Sequence, residues 1–257
     1  VFKILKNKTK NLSYCPERIV QGKSIKELPN ISQLVSGKNQ ISIREASNLF
    51  KKICKKIIVV KVIEAELIKL FSNAYRYVHF AISNQFYMIC KNQKLDFFRI
   101  REIMKDGYKR NAHIPMSGFT AGPCLLKDTM QLSAFSRQLF TFGHSAMLVN
   151  ETLPEFLIND LKKNKKIYNL KVGILGMAFK ANNDDIRDSL AFKLKKKLEY
   201  EGCKVYCTDV YLKDRDFVSI KKILNTCKII FIGCPHDQYK KIKFKKNIKV
   251  VDCWGFI

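Results

Sequence analysis

Cys124 stands in the run Gly118-Phe119-Thr120-Ala121-Gly122-Pro123-Cys124-Leu125-Leu126-Lys127-Asp128, a setting that suits a thiolate nucleophile. The glycines read as a turn that delivers the cysteine to a helix start, with Pro123 at the first helical position, where a missing N–H costs nothing. Unpaired N–H groups and the positive dipole end of such a helix favour nearby negative charge. Lys127 adds a cation. Asp128 follows Cys124 by one helical turn, so thiol and carboxylate share a face, as a nucleophile and a water-orienting or proton-handling group would. The same local sequence equally fits a buried, inert cysteine after a turn.

A second pair lies in residues 64–76, where apolar residues recur with helical period while Lys69 and Asn73 sit four apart on one face. A lysine and an amide stacked in this way can polarise a carbonyl or hold an oxyanion. Alone, the pair also fits a solvated helix face.

Three further runs accompany these: Tyr14-Cys15-Pro16-Glu17-Arg18-Ile19-Val20-Gln21-Gly22, Val172-Gly173-Ile174-Leu175-Gly176-Met177-Ala178-Phe179-Lys180 and Asp184-Asp185-Ile186-Arg187-Asp188-Ser189. In order, and along nearly the whole chain, the motifs resemble the nucleotide-sugar dehydrogenases of the UDP-glucose and UDP-N-acetylhexosamine 6-dehydrogenase type. That resemblance implies an NAD-dependent oxidation of the C6 alcohol of a UDP-sugar to a uronate in two hydride steps. Cys124 would form a thiohemiacetal and then a thioester, and Asp128 would help to activate water for its hydrolysis. Lys69 and Asn73 would steady the oxyanion and the water, with Glu17 in the same proton-handling group. Gly118, Phe119, Gly122, Lys180 and Arg187 would contact the substrate, and the long helix would form the core of a homodimer. Many members carry a second carboxylate four residues after the first. Here that position is Gln21, which cannot act as acid or base.

A Rossmann pyrophosphate site needs a Gly-x-Gly-x-x-Gly turn between a strand and a helix. None occurs before residue 118, and the Pro-Glu-Arg motif arrives almost at once after Val1. The chain therefore reads as the carboxy-terminal part of a dehydrogenase that lacks most of its NAD-binding domain. The competing reading is a truncated, non-catalytic fragment that binds a nucleotide sugar or dimerises. Gly173 and Gly176 do not replace the missing turn, because the family uses its second domain for UDP.

Composition narrows the class. The 257 residues hold 47% apolar residues, enough for one large or two modest cores. No apolar run approaches the ~20 residues that span a bilayer. Nine scattered cysteines without a Cys-x-x-Cys pair argue for reduced thiols in a cytoplasmic protein, and neither they nor the four histidines have metal-ligand spacing. The formal charge of +26 suggests nucleic acid or an anionic membrane. Yet 39 of the 48 basic residues are lysines spread along the chain, with no aromatic interleaving and no recognition motif, which reads as solvated faces. The field would still draw in a doubly charged diphosphate.

Periodicity supplies the elements that must position these residues. Residues 1–61 read as the tail of a Rossmann domain: a short strand into the Pro-Glu-Arg loop, residues 33–37, a helix over 42–54 and a β-branched strand over 57–62. A stretch without Gly or Pro predicts one long helix over 64–92, and helices near 94–106, 123–137 and 142–164 complete an all-helical middle, 62–165. Residues 166–257 alternate strand (172–175, 204–208, 229–233, 248–253) with a helix over 189–202. That alternation implies a parallel sheet that binds ligand at its strand carboxyl ends. The whole is an α/β chain of three pieces: a partial Rossmann-like domain, a central helical dimerisation segment and a C-terminal parallel-sheet UDP-binding domain. Lys180 would face a diphosphate at that sheet edge. Asp184, Asp185 and Asp188 could instead hold Arg187 in an ion pair, and Asp209 ends a strand 33 residues after Gly176, where some Rossmann domains bind ribose.

Overall fold

The computed structural model describes residues 2–5, 7–19, 22, 24–120, 122–137 and 139–257. The chain separates into two compact units, Val1–Asn73 and Ala74–Ile257.

In the first unit a short helix α1 (Phe2–Leu5) precedes strand β1 (Ser13–Tyr14) and helix α2 (Ser24–Glu27). Strand β2 (Gln33–Gly37) leads through helix α3 (Gln40–Lys51) to strand β3 (Ile57–Val59). β2 pairs antiparallel with β1 and parallel with β3, so β2–α3–β3 is a crossover unit, with Leu34 and Val35 of β2 both buried. The Asn39 side chain caps α3 by accepting from Ser42 N at 2.8 Å. The strand expected over 57–62 stops at Val59, where its pairing with β2 ends.

Helix α4 (Val62–Asn92) begins in this unit and runs on into the second, uninterrupted by Gly or Pro; Glu64 caps its start by accepting from Lys61 N at 2.7 Å. The second unit continues with α5 (Phe97–Lys105), α6 (Leu125–Phe135) and α7 (Phe142–Lys162). Strands β4 (Lys171–Leu175), β5 (Lys204–Thr208), β6 (Ile229–Ile232) and β7 (Lys249–Val251) form a parallel sheet in the order β5-β4-β6-β7. Helices α8 (Leu190–Tyr200) and α9 (Ile220–Thr226) connect them.

The strands are apolar on both faces, as a parallel sheet covered on both sides requires. Val172, Ile174 and Phe231 pack with Leu153, Leu157 and Leu161 of α7 and Leu194 and Leu198 of α8. Leu175, Ile230 and Ile232 pack with Ile223 of α9 and with Tyr239. The central helices and the sheet therefore share one core. α9 escaped the sequence reading because its seven residues bury a single side chain, Ile223, and show no period.

Candidate active site

The turn that ends at Cys124 opens α6. Asp128 N donates to the Cys124 carbonyl at 2.9 Å, closing the first helical turn, with Cys124 itself in the capping position. Pro123 thus precedes the cap and does not take the first helical position, a correction that moves the helix start to Leu125. Cys124 is exposed, whereas the Asp128 side chain is 5% exposed and 3.4 Å from Lys127 Nζ. Lys127 thereby pairs with the carboxylate. Of the nine thiols, Cys15 is half-buried and seven are buried. Burial pushes the thiols of Cys15, Cys90, Cys203, Cys234 and Cys253 up, Cys207 to about 12 and Cys227 to about 11, which keeps these groups in the unreactive thiol form. Cys124 is the one cysteine open to solvent.

Two close approaches hold the turn. Gly118 has φ +144°, and a Cβ there would lie 2.2 Å from the Trp254 ring. A Cβ on Gly122 would lie 2.7 Å from the Phe179 ring. Only glycine admits both neighbours. Ser117 Oγ donates to the Cys253 carbonyl at 2.6 Å, and Phe119, 4% exposed, meets Trp254 edge to face at 6.0 Å. Phe119 thus gives its side chain to the core, and any substrate contact from it falls to its backbone. Phe179 belongs to the Gly176–Lys180 motif, so two motifs more than fifty residues apart in sequence meet at the cysteine turn. Arg187 is held by Asp185 through a bonded pair at 2.6 Å, the ion-pair alternative read from sequence. That carboxylate holds the guanidinium more firmly charged than usual.

At the carboxyl edge of the sheet, Asp209 does not face a ligand. Its side chain is fully buried, Oδ2 accepts from Met177 N at 2.6 Å and Ala178 N at 3.1 Å, and Oδ1 accepts from Tyr211 N at 2.8 Å. His236, also fully buried, lies with Nε2 3.0 Å from the same Oδ2, and its Nδ1 accepts from Asn182 N at 2.9 Å. Because Nδ1 accepts, the ring proton is on Nε2, and His236 donates to Asp209. Burial alone would raise the Asp209 carboxyl, but the bonds from His236, Tyr211 N and Met177 N outweigh it and hold the group below its ordinary range. The geometry does not favour the ribose role considered for Asp209: its buried oxygens accept from backbone after β4 and after β5 and from His236. Lys180 lies half-buried within the loop after β4.

In the first unit Lys69 Nζ donates to the Glu17 carbonyl at 2.8 Å and sits 3.8 Å from Glu17 Oε2. Glu17 is exposed, Pro16 beside it is buried, and Glu17 Oε1 accepts from Ile19 N. Asn73 lies one turn after Lys69, partly buried. Gln21 lies outside the described residues. The predicted residues thus fall into two sets, Glu17, Lys69 and Asn73 in the first unit and the rest in the second.

Sequence reasoning missed Trp254, Asn84, Asn150 and the His236–Asp209 pair. The lone tryptophan of the chain was the one available signal. Among the described residues no group of three or more His, Cys, Asp or Glu could hold a metal ion, and no helix is long and apolar enough to cross a membrane.

Two family models match the chain: the UDP-glucose/GDP-mannose dehydrogenase family central domain over residues 63–152, and the UDP binding domain of the same family over residues 173–257. The chain belongs to the UDP-glucose/GDP-mannose dehydrogenase family. The UDP-N-acetyl-D-mannosamine dehydrogenase of Methanocaldococcus jannaschii is 31% identical over 252 residues, which is 96% of this chain and 58% of that protein. The structure of the UDP-D-ManNAc dehydrogenase of Pyrococcus horikoshii superposes with a TM-score of 0.86 at 25% identity, covering 99% of this chain and 65% of that one. The UDP-glucose dehydrogenase of Pyrobaculum islandicum shares the fold with a TM-score of 0.85 at 23% identity, over 96% of this chain and 60% of that one. The chain thus spans about three fifths of the length of these relatives. Its described residues do not fit a dinucleotide pyrophosphate. The N–H groups of Met177 and Ala178 after β4 are taken by Asp209, Asn39 caps α3 after β2, and no Gly-x-Gly-x-x-Gly run occurs in the sequence.

Proposed function

We propose that this chain carries the thiol and UDP-sugar-binding part of an NAD-dependent UDP-sugar 6-dehydrogenase, and one observation carries the reading: of nine cysteines, the exposed one stands at the motif that also meets Phe179. In this scheme Cys124 Sγ adds to the C6 carbonyl of the half-oxidised sugar. The S–C bond forms, the carbonyl π pair moves to oxygen, and that oxygen takes a proton to give a thiohemiacetal. Oxidation of this adduct to the thioester would need a hydride acceptor that this chain's own residues do not supply. Water then adds at the carbonyl carbon and the thiol leaves with its proton, releasing the uronate. Asp128, buried beside Lys127, takes the water proton, and the role of oxyanion donor is the one that the family resemblance gives to Lys69 and Asn73. NAD, implied by the resemblance, would accept the hydrides. The described residues of this chain do not form its cradle, so no hydride step is assigned to them.

Lys180 and Arg187 suit the diphosphate, and the backbone of the Gly118–Gly122 turn suits the sugar. The substrate class is a UDP-hexose, with UDP-glucose and UDP-N-acetylmannosamine the two candidates that the relatives' names supply. The stripe Phe71, Tyr75, Ile82, Phe86 and Ile89 on α4 is exposed, which supports a second copy of the chain as partner. The unpaired thiols suit a reducing compartment such as the cytoplasm. For this chain by itself, nucleotide-sugar binding without turnover is the second reading, favoured by the absence of a pyrophosphate turn from its sequence.

The test needs no cofactor. The C6 aldehyde of a UDP-hexose, which can add to a thiol directly, should protect Cys124 from iodoacetamide more strongly than the parent UDP-hexose does, as read by peptide mass spectrometry. Equal protection by the two would remove Cys124 from the chemistry.

A further inference from the structure

Two fully buried amides lie behind the cysteine turn. Asn84 on α4 and Asn150 on α7 are both 0% exposed, and a neutral amide in such a place is costly unless its hydrogen-bonding groups are met. Here they are met by each other and by backbone. Asn84 Oδ1 accepts from Gly118 N at 2.8 Å. Asn84 Nδ2 gives one hydrogen to the Gly118 carbonyl at 3.0 Å and the other to Asn150 Oδ1 at 2.9 Å. Asn150 Nδ2 donates onward to the Tyr77 carbonyl at 3.2 Å. The orientations follow from the partners. Gly118 N can only donate, so Asn84 must turn its oxygen there, and that places its nitrogen against Gly118 O and Asn150.

One side chain thus grips Gly118 by both its N–H and its carbonyl, and a second fixes the first. The Trp254 ring occupies the space where a Cβ on Gly118 would stand, which closes that direction to the residue. Ser83, the neighbour of Asn84, adds a bond from its hydroxyl to the Pro115 carbonyl at 2.9 Å, so adjacent side chains of α4 hold the strand of chain that enters the turn. Neither asparagine reaches the thiol directly.

We propose that Asn84, oriented by Asn150, is the positioning residue of the Cys124 turn: it sets where the sulfur stands at the amide end of α6. The chemical importance of that position rests on the function proposed above, but the geometry does not. Cys124 alkylation by iodoacetamide, measured in the folded 257-residue chain across pH with peptide mass spectrometry, reads the surroundings of the sulfur without any turnover. Asn84→Ala should slow Cys124 by about five-fold or more while Cys15, in the other unit, changes by less than about two-fold. Asn150→Ala should give a smaller slowing, and the double variant should be no slower than Asn84→Ala alone, because Asn150 acts only through Asn84.

Should Asn84→Ala fail to fold by circular dichroism, Asn84→Asp, which keeps the bond from Gly118 N, and Asn150→Ala, which leaves both bonds to Gly118, are read in the same way. Cys124 rates within about two-fold of the parent in a folded variant would overturn the assignment. So would the failure of all three variants to fold, which would make the pair a requirement of the core. Unchanged rates would leave the role of Cys124 in the reaction standing. A Cys124 without a catalytic role would leave altered rates standing.

Discussion

Lys69 keeps 26% of its side-chain surface exposed while bonded to the Glu17 carbonyl, an arrangement that holds its charge in one place without burying it. If that charge steadies an oxyanion, Lys69→Ala in the active dehydrogenase should lower kcat by about 10²–10³ and leave KM for the UDP-sugar nearly unchanged. A rise in KM alone would make it a binding lysine. Asp209 yields a prediction of another kind. Its carboxyl titrates lower in the folded chain than in the unfolded one, so the unfolded chain takes up the proton first as pH falls. The stability it contributes is present above about pH 4 and is lost as pH drops through the lower folded value. Thermal midpoints measured against pH should show that acid-side loss in the parent and less of it in Asp209→Asn. At neutral pH that variant should be weaker by about 1–3 kcal/mol, since His236 and three backbone N–H groups lose a charged acceptor. Cys124 was legible because glycine and proline around a cysteine carry a local geometric meaning. The bonds of Asn84, Asn150 and Asp209 were not, because each residue is one polar letter whose backbone and side-chain partners are brought from elsewhere by the fold.

The long helix and the four strands of the second sheet were legible to within a few residues, since α4 sustains its period over 31 residues and each strand is a compact apolar run. The start of α6 was not: Pro123 favours a first helical position, but the chain needs that residue in the turn so that Gly122 can lie under Phe179. The turn is as demanding at its other end. Gly118→Ala would place a Cβ 2.2 Å from the Trp254 ring at a φ of +144°, so the variant should lose about 1–3 kcal/mol or more of stability, measured by chemical denaturation. A neutral result would mean that the ring can step aside. Asp96, which caps α5 by accepting from Phe98 N and Arg99 N, gives a milder comparison: Asp96→Ala should cost about 1 kcal/mol and leave the turn untouched.

For the whole chain, the decisive contrast is between its two expected ligands. Isothermal titration should show binding of UDP or a UDP-hexose and none of NAD, because the loop after β4 meets the cysteine turn while its Met177 and Ala178 amides are taken by Asp209 and the sequence holds no Gly-x-Gly-x-x-Gly turn. Micromolar binding of NAD would reveal a cofactor cradle of another design. The charge of +26, read from composition as solvated faces, should appear as a UDP association rate that falls with ionic strength. Fold and family were thus open to reading from the chain, whereas the packing that joins the cysteine turn to the last residues was not. That packing has a practical result. Trp254 is the single indole of the molecule, it is fastened through Nε1 to the Ile232 carbonyl at 2.9 Å, and its ring lies directly on the turn that carries Cys124. Its emission is therefore an intrinsic optical gauge of that turn, able to follow ligand arrival or thiol modification in real time without a label.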